Sequence, residues 1–251
     1  MCTIDASVDL RMPLSIMNHM RKLVFTGMWV CLLPGLVAAS TAASPPLSQE
    51  PICQNKPPSD FKDLKDAIPG VSLDIRYHTP HNFTGSPLPG YGAPGAWLRT
   101  EAAQALALVQ QDLAKKNLGL VIFDAYRPAR ATRAMVSWAI ASGNSRLLNG
   151  YIARRSRHNR GVAVDLGLVD LTTHTPLDMG SPFDDLSEKS HTANARGETL
   201  VNRLLLKKAM ELRGFKNYHR EWWHYEHPLE HAAERDVPYG CGEPPESPET
   251  H

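Results

Sequence analysis

Ser156-Arg157-His158-Asn159-Arg160-Gly161-Val162-Ala163-Val164-Asp165 is the stretch on which the reading of this chain turns. From Val162 to Val169 the residues alternate. Val162, Val164, Leu166 and Leu168 fall on one side, and Ala163, Asp165 and Gly167 on the other. A period of two is that of a β-strand, here with one bulky apolar face and one small, polar face. The small face leaves open space in front of the Asp165 carboxylate. His158 precedes the strand, and Gly161 between them is where the chain can turn back.

Working outward, Leu118 to Phe123 is a short apolar run with β-branched Val121 and Ile122, which predicts a buried strand. Pro128 follows it and opens a helix over Ala129 to Ala141. Thr100 starts an earlier helix with Glu101 in its first turn, and Ala102, Leu106, Val109 and Leu113 mark its apolar stripe. A third helix is expected from Glu198 to Leu212, with Val201, Leu204, Leu205, Ala209 and Leu212 facing the core and Gly214 as terminator. Tyr218 to Tyr225 is aromatic-rich and reads as a further strand. Helices and strands mix without regular βαβ alternation, so the expected class is α+β, an antiparallel sheet with flanking helices.

The chain has 251 residues, 42% hydrophobic and 21% charged, with a net charge of +1. That balance gives no electrostatic reason to expect nucleic acid or an anionic membrane as partner; a small polar substrate fits it better. Residues 1–44 read as an N-terminal extension and signal peptide: a basic start at Arg21-Lys22, a short apolar stretch broken by Pro34-Gly35, and a small-residue exit. An uncleaved anchor is the alternative. A signal places the mature protein in the periplasm or otherwise outside the cytoplasm, with no stable membrane association after cleavage. Residues 45–58 form a proline-rich lead-in, 59–237 one domain, and 238–251 a loose proline-rich tail. Cys53 and Cys241, left near the two ends, are either a disulfide or two free thiols.

His158, Asp165 and His224 supply two imidazoles and a carboxylate, and Glu221 lies three residues before His224. Zinc catalysis needs such a set: three protein ligands, an open fourth position for water, and a base for that water's proton. Residues three apart on an ideal strand face opposite ways, so a bend or bulge is expected between Glu221 and His224. Trp222 and Trp223 wall the site, pack the core, or do both. His227 and His231 read as solvent-facing. Arg127, in Phe123-Asp124-Ala125-Tyr126-Arg127-Pro128, either holds a developing oxyanion or forms an ion pair with Asp124.

Taken together, the S-x-H-x-x-G-x-A-x-D pattern, Glu221-Trp222-Trp223-His224-Tyr225 and the Asp124-to-Pro128 segment resemble the zinc D-alanyl-D-alanine dipeptidases. Asp74-Ile75-Arg76-Tyr77, Asn82-Phe83-Thr84-Gly85, Asp178-Met179-Gly180, Phe183-Asp184, Ser190-His191 and Asn202-Arg203 extend the likeness over Leu73 to Tyr225. The resemblance implies the small α+β zinc-peptidase fold shared with D,D-carboxypeptidases and the hedgehog signalling domain. It also implies one zinc ion on His158, Asp165 and His224, Glu221 as general base and Arg127 on the tetrahedral intermediate. Asp184 and Tyr77 would meet the substrate ammonium, and Ser156 would lie along the substrate. The expected reaction is hydrolysis of the dipeptide D-alanyl-D-alanine. The alternatives are a carboxypeptidase or endopeptidase on longer wall peptides, and a zinc-stabilised binding module without catalysis.

Overall fold

The computed structural model describes residues 56–240. The expected extension and signal at 1–44, most of the expected lead-in, the expected tail beyond Gly240, and both Cys53 and Cys241 lie outside the described residues. None of the helices described is long and apolar enough to cross a membrane.

The predicted central strand is β5 (Ala163–Asp170), buried on both faces up to Val169. Its neighbour β4 (Leu118–Asp124) runs antiparallel to it, and β7 (His224–Glu226) lies antiparallel on its other side. Two-residue edge strands complete the sheet: β2 (Ser72–Leu73), parallel to β4, and β6 (Lys216–Asn217), antiparallel to β7. The order is β2-β4-β5-β7-β6, antiparallel except at the β2 edge. A separate antiparallel pair joins β1 (Phe61–Asp63) and β3 (Trp97–Arg99), with the short helix α1 (Leu64–Ala67) between them in sequence. The class is α+β, as expected.

Helix α2 (Thr100–Ala114) buries Ala102, Leu106, Val109 and Leu113, the stripe its sequence predicts. Each such leucine or valine, once buried, contributes about 1.5–3 kcal/mol. Gln110, also buried, accepts the Leu120 N–H at 2.9 Å and so ties α2 to β4. Helix α3 (Ala129–Ala141) starts after Pro128 as predicted.

Helix α4 (Gly197–Glu211) corrects the sequence reading. Val201, Leu204 and Leu212 are 61%, 49% and 70% exposed, while Asn202, Arg203, Leu206 and Met210 are buried. The helix is rotated because the Arg203 guanidinium is drawn inward, donating to the carbonyls of Met179, Lys189 and His191 at 2.6–3.0 Å.

The strand expected at Tyr218 to Tyr225 is also corrected. Only His224–Glu226 is extended, and 218–223 is a tight connection back from β6. Asn217 closes it by donating to the carbonyls of Glu221 and His224, each at 3.0 Å.

The tail assigned to 238–251 begins with a core residue. Tyr239 is 1% exposed, with its ring 4.2 Å from Trp97 and stacked on Tyr91. Its hydroxyl donates to the Tyr126 carbonyl and accepts the Trp97 N–H. Gly95 makes room for the ring, since a Cβ there would overlap it. The packed domain therefore runs past Val237.

Candidate metal centre and active site

Sheet register brings the site together. On β4 the pairing shifts between Ile122 and Asp124, a bulge that sets Asp124 rather than Phe123 opposite Asp165. Asp165 in turn pairs with His224 on β7. Directly opposed residues carry Cβ atoms about 4.5–5.5 Å apart, so three adjacent strands present Asp124, Asp165 and His224 in one row.

Two carboxylates side by side need a cation, and Arg127 supplies it. Its Nε and Nη2 each lie 2.9 Å from Asp124 Oδ2, and Nη2 is 3.5 Å from Asp165 Oδ2. The Tyr91 hydroxyl donates to the other Asp124 oxygen at 2.6 Å. The ion pair with Asp124 is thus present, and the guanidinium also reaches the cleft, over the Tyr77 ring at 5.0 Å.

His158 arrives from a 3₁₀ turn, Arg157–Arg160, capped by Ser156 Oγ accepting the His158 N–H at 3.2 Å. Gly161 ends the turn at φ +68°, where a side chain would be strained and would strike Phe61. His158 Nδ1 is 2.6 Å from the Ala125 carbonyl oxygen. A carbonyl only accepts, so Nδ1 carries the hydrogen and the Nε2 lone pair points into the site.

Three acceptor atoms then converge. His224 Nδ1 lies 2.9 Å from Asp165 Oδ1 and 3.1 Å from His158 Nε2, and His158 Nε2 is 3.3 Å from the same Asp165 oxygen. Tetrahedral zinc with bonds of about 2.0–2.1 Å needs ligand atoms about 3.3 Å apart, so the triangle fits after shifts of a few tenths of an ångström. Three lone pairs facing one another repel unless a cation sits among them. In the metal-free chain that cation is a proton. Burial alone would push His224 down, but its hydrogen bonds to Asp165 and Glu226 outweigh burial and lift it to about 10. Burial would likewise raise Asp165, and His158 and His224 instead hold it well below the usual carboxylate range.

Glu221, in the turn before β7, places Oε2 3.8 Å from His224 Nδ1. The bend expected from its spacing is this turn. Burial lifts its carboxyl to about 8, opposed by His224 and reinforced by the Asp165 charge. A carboxyl with that poise beside three convergent donor atoms is suited to taking and returning a proton.

The residues open onto a cavity of about 350 Å³ lined by Tyr77, Arg127, Ser156, Asp184, Glu221 and Trp223, among others. Tyr77 and Asp184 meet there, the hydroxyl donating to Asp184 Oδ1 at 3.0 Å. Asp184 Oδ2 is buried without a partner among the described residues. The residue is held at φ +63°, a cost of about 1–3 kcal/mol that the surrounding structure must impose. Burial, reinforced by Asp165, raises its carboxyl well above the usual range. Trp223 faces the cavity, whereas Trp222 packs edge-on to Phe123 and donates to Ser181 Oγ.

His231 is exposed, as predicted, but His227 is half-buried. It continues the sheet through its N–H to Val162 and packs edge-on to Phe215, so it is structural rather than solvent-facing. Tyr91, Asn217 and Glu226 had no signal in the sequence, because each acts through strand register or turn closure.

The model of the D-Ala-D-Ala dipeptidase family matches residues 58–239. The chain belongs to that family. It is 36% identical over 196 residues to D-alanyl-D-alanine dipeptidase of Enterococcus faecium, an alignment covering 71% of this chain and 93% of that relative. The Enterococcus faecalis enzyme of the same name is 36% identical over 181 residues, 66% of this chain and 90% of its own length. That of Escherichia coli is 34% identical over 172 residues, covering 68% and 86%. Membership in a peptidase family agrees with a site built from three convergent donor atoms that could hold a metal ion, a buried carboxyl and a guanidinium. The family match ends at Tyr239, itself a buried core residue.

Proposed function

We propose that this protein hydrolyses D-alanyl-D-alanine and related D,D-dipeptides, with one zinc ion per chain held by His158 Nε2, His224 Nδ1 and an Asp165 carboxylate oxygen. The observation that carries the reading is the triangle of acceptor atoms, with sides of 2.9–3.3 Å, and the Glu221 carboxyl beside it. Zinc in such a site supplies Lewis acidity and makes bound water acidic near neutral pH.

The chain's own residues do the rest. Glu221 accepts the proton of the attacking water and returns it to the leaving amine. Arg127, fixed by Asp124, directs its guanidinium at the oxygen that gains charge when the scissile carbonyl becomes tetrahedral. Asp184 offers an unpartnered carboxylate oxygen to the substrate ammonium, and Tyr77 orients it. Ser156 lies along the bound backbone. A cavity of dipeptide size disfavours longer peptides, because a buried amide or carboxylate without a partner costs several kcal/mol. We further propose that the protein works outside the cytoplasm, on dipeptides released as the cell wall turns over, since residues 1–44 carry a signal pattern.

The deciding experiment incubates the purified chain with D-Ala-D-Ala and with a pentapeptide ending in it, each with and without chelator. Chelator-sensitive cleavage of the dipeptide alone is expected. Cleavage of the pentapeptide instead would assign a carboxypeptidase, and no cleavage with a lower melting temperature on chelation would assign a zinc-stabilised binding module. Glu221→Ala must abolish turnover while zinc stays bound, or the base assignment is wrong. Location is settled by fractionation: activity confined to the cytoplasm refutes the export reading.

A further inference from the structure

We propose that Glu226 is a positioning residue for the metal centre, fixing which nitrogen of His224 is offered to the ion. The inference rests on the zinc reading above. His224 and Glu226 lie two apart on β7, so their side chains share one face of the strand. Glu226 Oε1 is 3.3 Å from His224 Nε2, the nitrogen opposite the one that meets Asp165 and His158.

Neutral imidazole exists as two tautomers, and only the form with hydrogen on Nε2 leaves Nδ1 free to bind. A carboxylate can only accept, so Glu226 selects that form and holds the ring plane. His158 has the mirror arrangement, its Nδ1–H held by the Ala125 carbonyl. Both imidazoles are therefore clamped from behind by acceptor-only oxygens, one of the backbone and one of a side chain. Acceptors so placed raise ligand basicity and fix ring orientation.

Glu226 is itself restrained. Its second oxygen is 3.4 Å from Arg157 Nε, and Arg157 Nη2 donates to the His227 carbonyl at 2.9 Å. The competing account is that Glu226 merely pairs with Arg157 as a partly exposed ion pair. The two accounts differ in what Arg157 should matter for.

The test measures zinc affinity of the full chain by competition against a chelator for wild type, E226A, E226M, E226Q and R157M, with circular dichroism confirming the fold of each metal-free variant. E226M keeps side-chain volume but accepts no hydrogen bond, so a packing defect in E226A does not decide the result. E226A and E226M are expected to weaken zinc binding about 10–100-fold. E226Q, whose amide oxygen still accepts, should recover affinity to within about threefold of wild type, and R157M should stay in that range. The proposal is overturned if E226M binds zinc within about twofold of wild type, or if R157M loses as much as E226A. A wild-type chain that binds no zinc would overturn the metal centre itself and this inference with it.

Discussion

Arg127 and Arg203 are both buried, 9% and 0% exposed, and their surroundings are opposite. Arg127 faces formal charge: two carboxylates, a tyrosine ring and an open cavity. Burial would lower it, but Asp124 leads the groups that raise it well above its ordinary value. Arg203 faces dipoles: three backbone carbonyls and the Ser181 hydroxyl accept from its guanidinium. Burial lowers it below its ordinary value. A planar fork of five donors can be satisfied either way. Carboxylates leave charge density at the cleft edge, where a reaction can use it. Three carbonyls and a hydroxyl take four of the five donors of Arg203, and what they give in return is a fixed loop, residues 178–192, that carries Asp184.

The sharpest break in this comparison is Arg127→Ala. Loss of one donor aimed at a developing oxyanion costs about 10²–10³-fold in kcat. Steady-state rates on D-Ala-D-Ala measure it, and an unchanged kcat would return Arg127 to a structural ion pair. Next comes Arg203→Met, which strands three carbonyls. At about 1–3 kcal/mol for each unpaired group, stability should fall by roughly 3 kcal/mol in urea unfolding. KM should rise more than kcat falls, because the Asp184 loop is loosened. A loss below about 1 kcal/mol would show that water replaces the guanidinium.

Smaller is the effect of pH on zinc affinity. His224 in the metal-free chain lies above its unfolded value of 6.5, at about 10. Its contribution to metal-free stability is therefore complete below the lower value and is lost as pH rises through the upper one. Zinc must displace that proton, so apparent affinity should rise about tenfold per pH unit across neutrality, with one proton released. Calorimetry in buffers of differing ionisation enthalpy counts the proton, and a count of zero contradicts the raised His224. Smallest is Leu204→Ser on the outer face of α4, expected to change stability by less than about 0.5 kcal/mol, with buried Leu206→Ala as the core control.

The same helix shows where sequence reading fails. Residues on β5 were legible because alternation of bulky and small side chains maps directly onto the two faces of a strand. On α4 the apolar stripe predicts an inward face of Val201 and Leu204, yet Arg203 outcompetes them because carbonyls elsewhere in the chain await its donors. Nothing local records those carbonyls. The aromatic run at 218–225 predicts an extended strand, but Trp222 and Trp223 are buried from a turn as readily as from a strand. The convergence of His158, Asp165 and His224 was legible because they bunch in two short segments with Glu221 beside them. Their alignment with Asp124 was not, since a one-residue shift on β4 decides it. Glu226 escaped for a similar reason: its meaning depends on which nitrogen of its neighbour points inward.

Tyr239 has a consequence for how the molecule is made. Its ring leans on Tyr91, whose hydroxyl holds Asp124, which holds Arg127. The guanidinium is thus braced by a residue translated more than a hundred positions after it. A nascent chain released one segment short would carry all four of His158, Asp165, Glu221 and His224 and still lack the brace behind Arg127. The brace behind Arg127 therefore forms only once Tyr239 has been made.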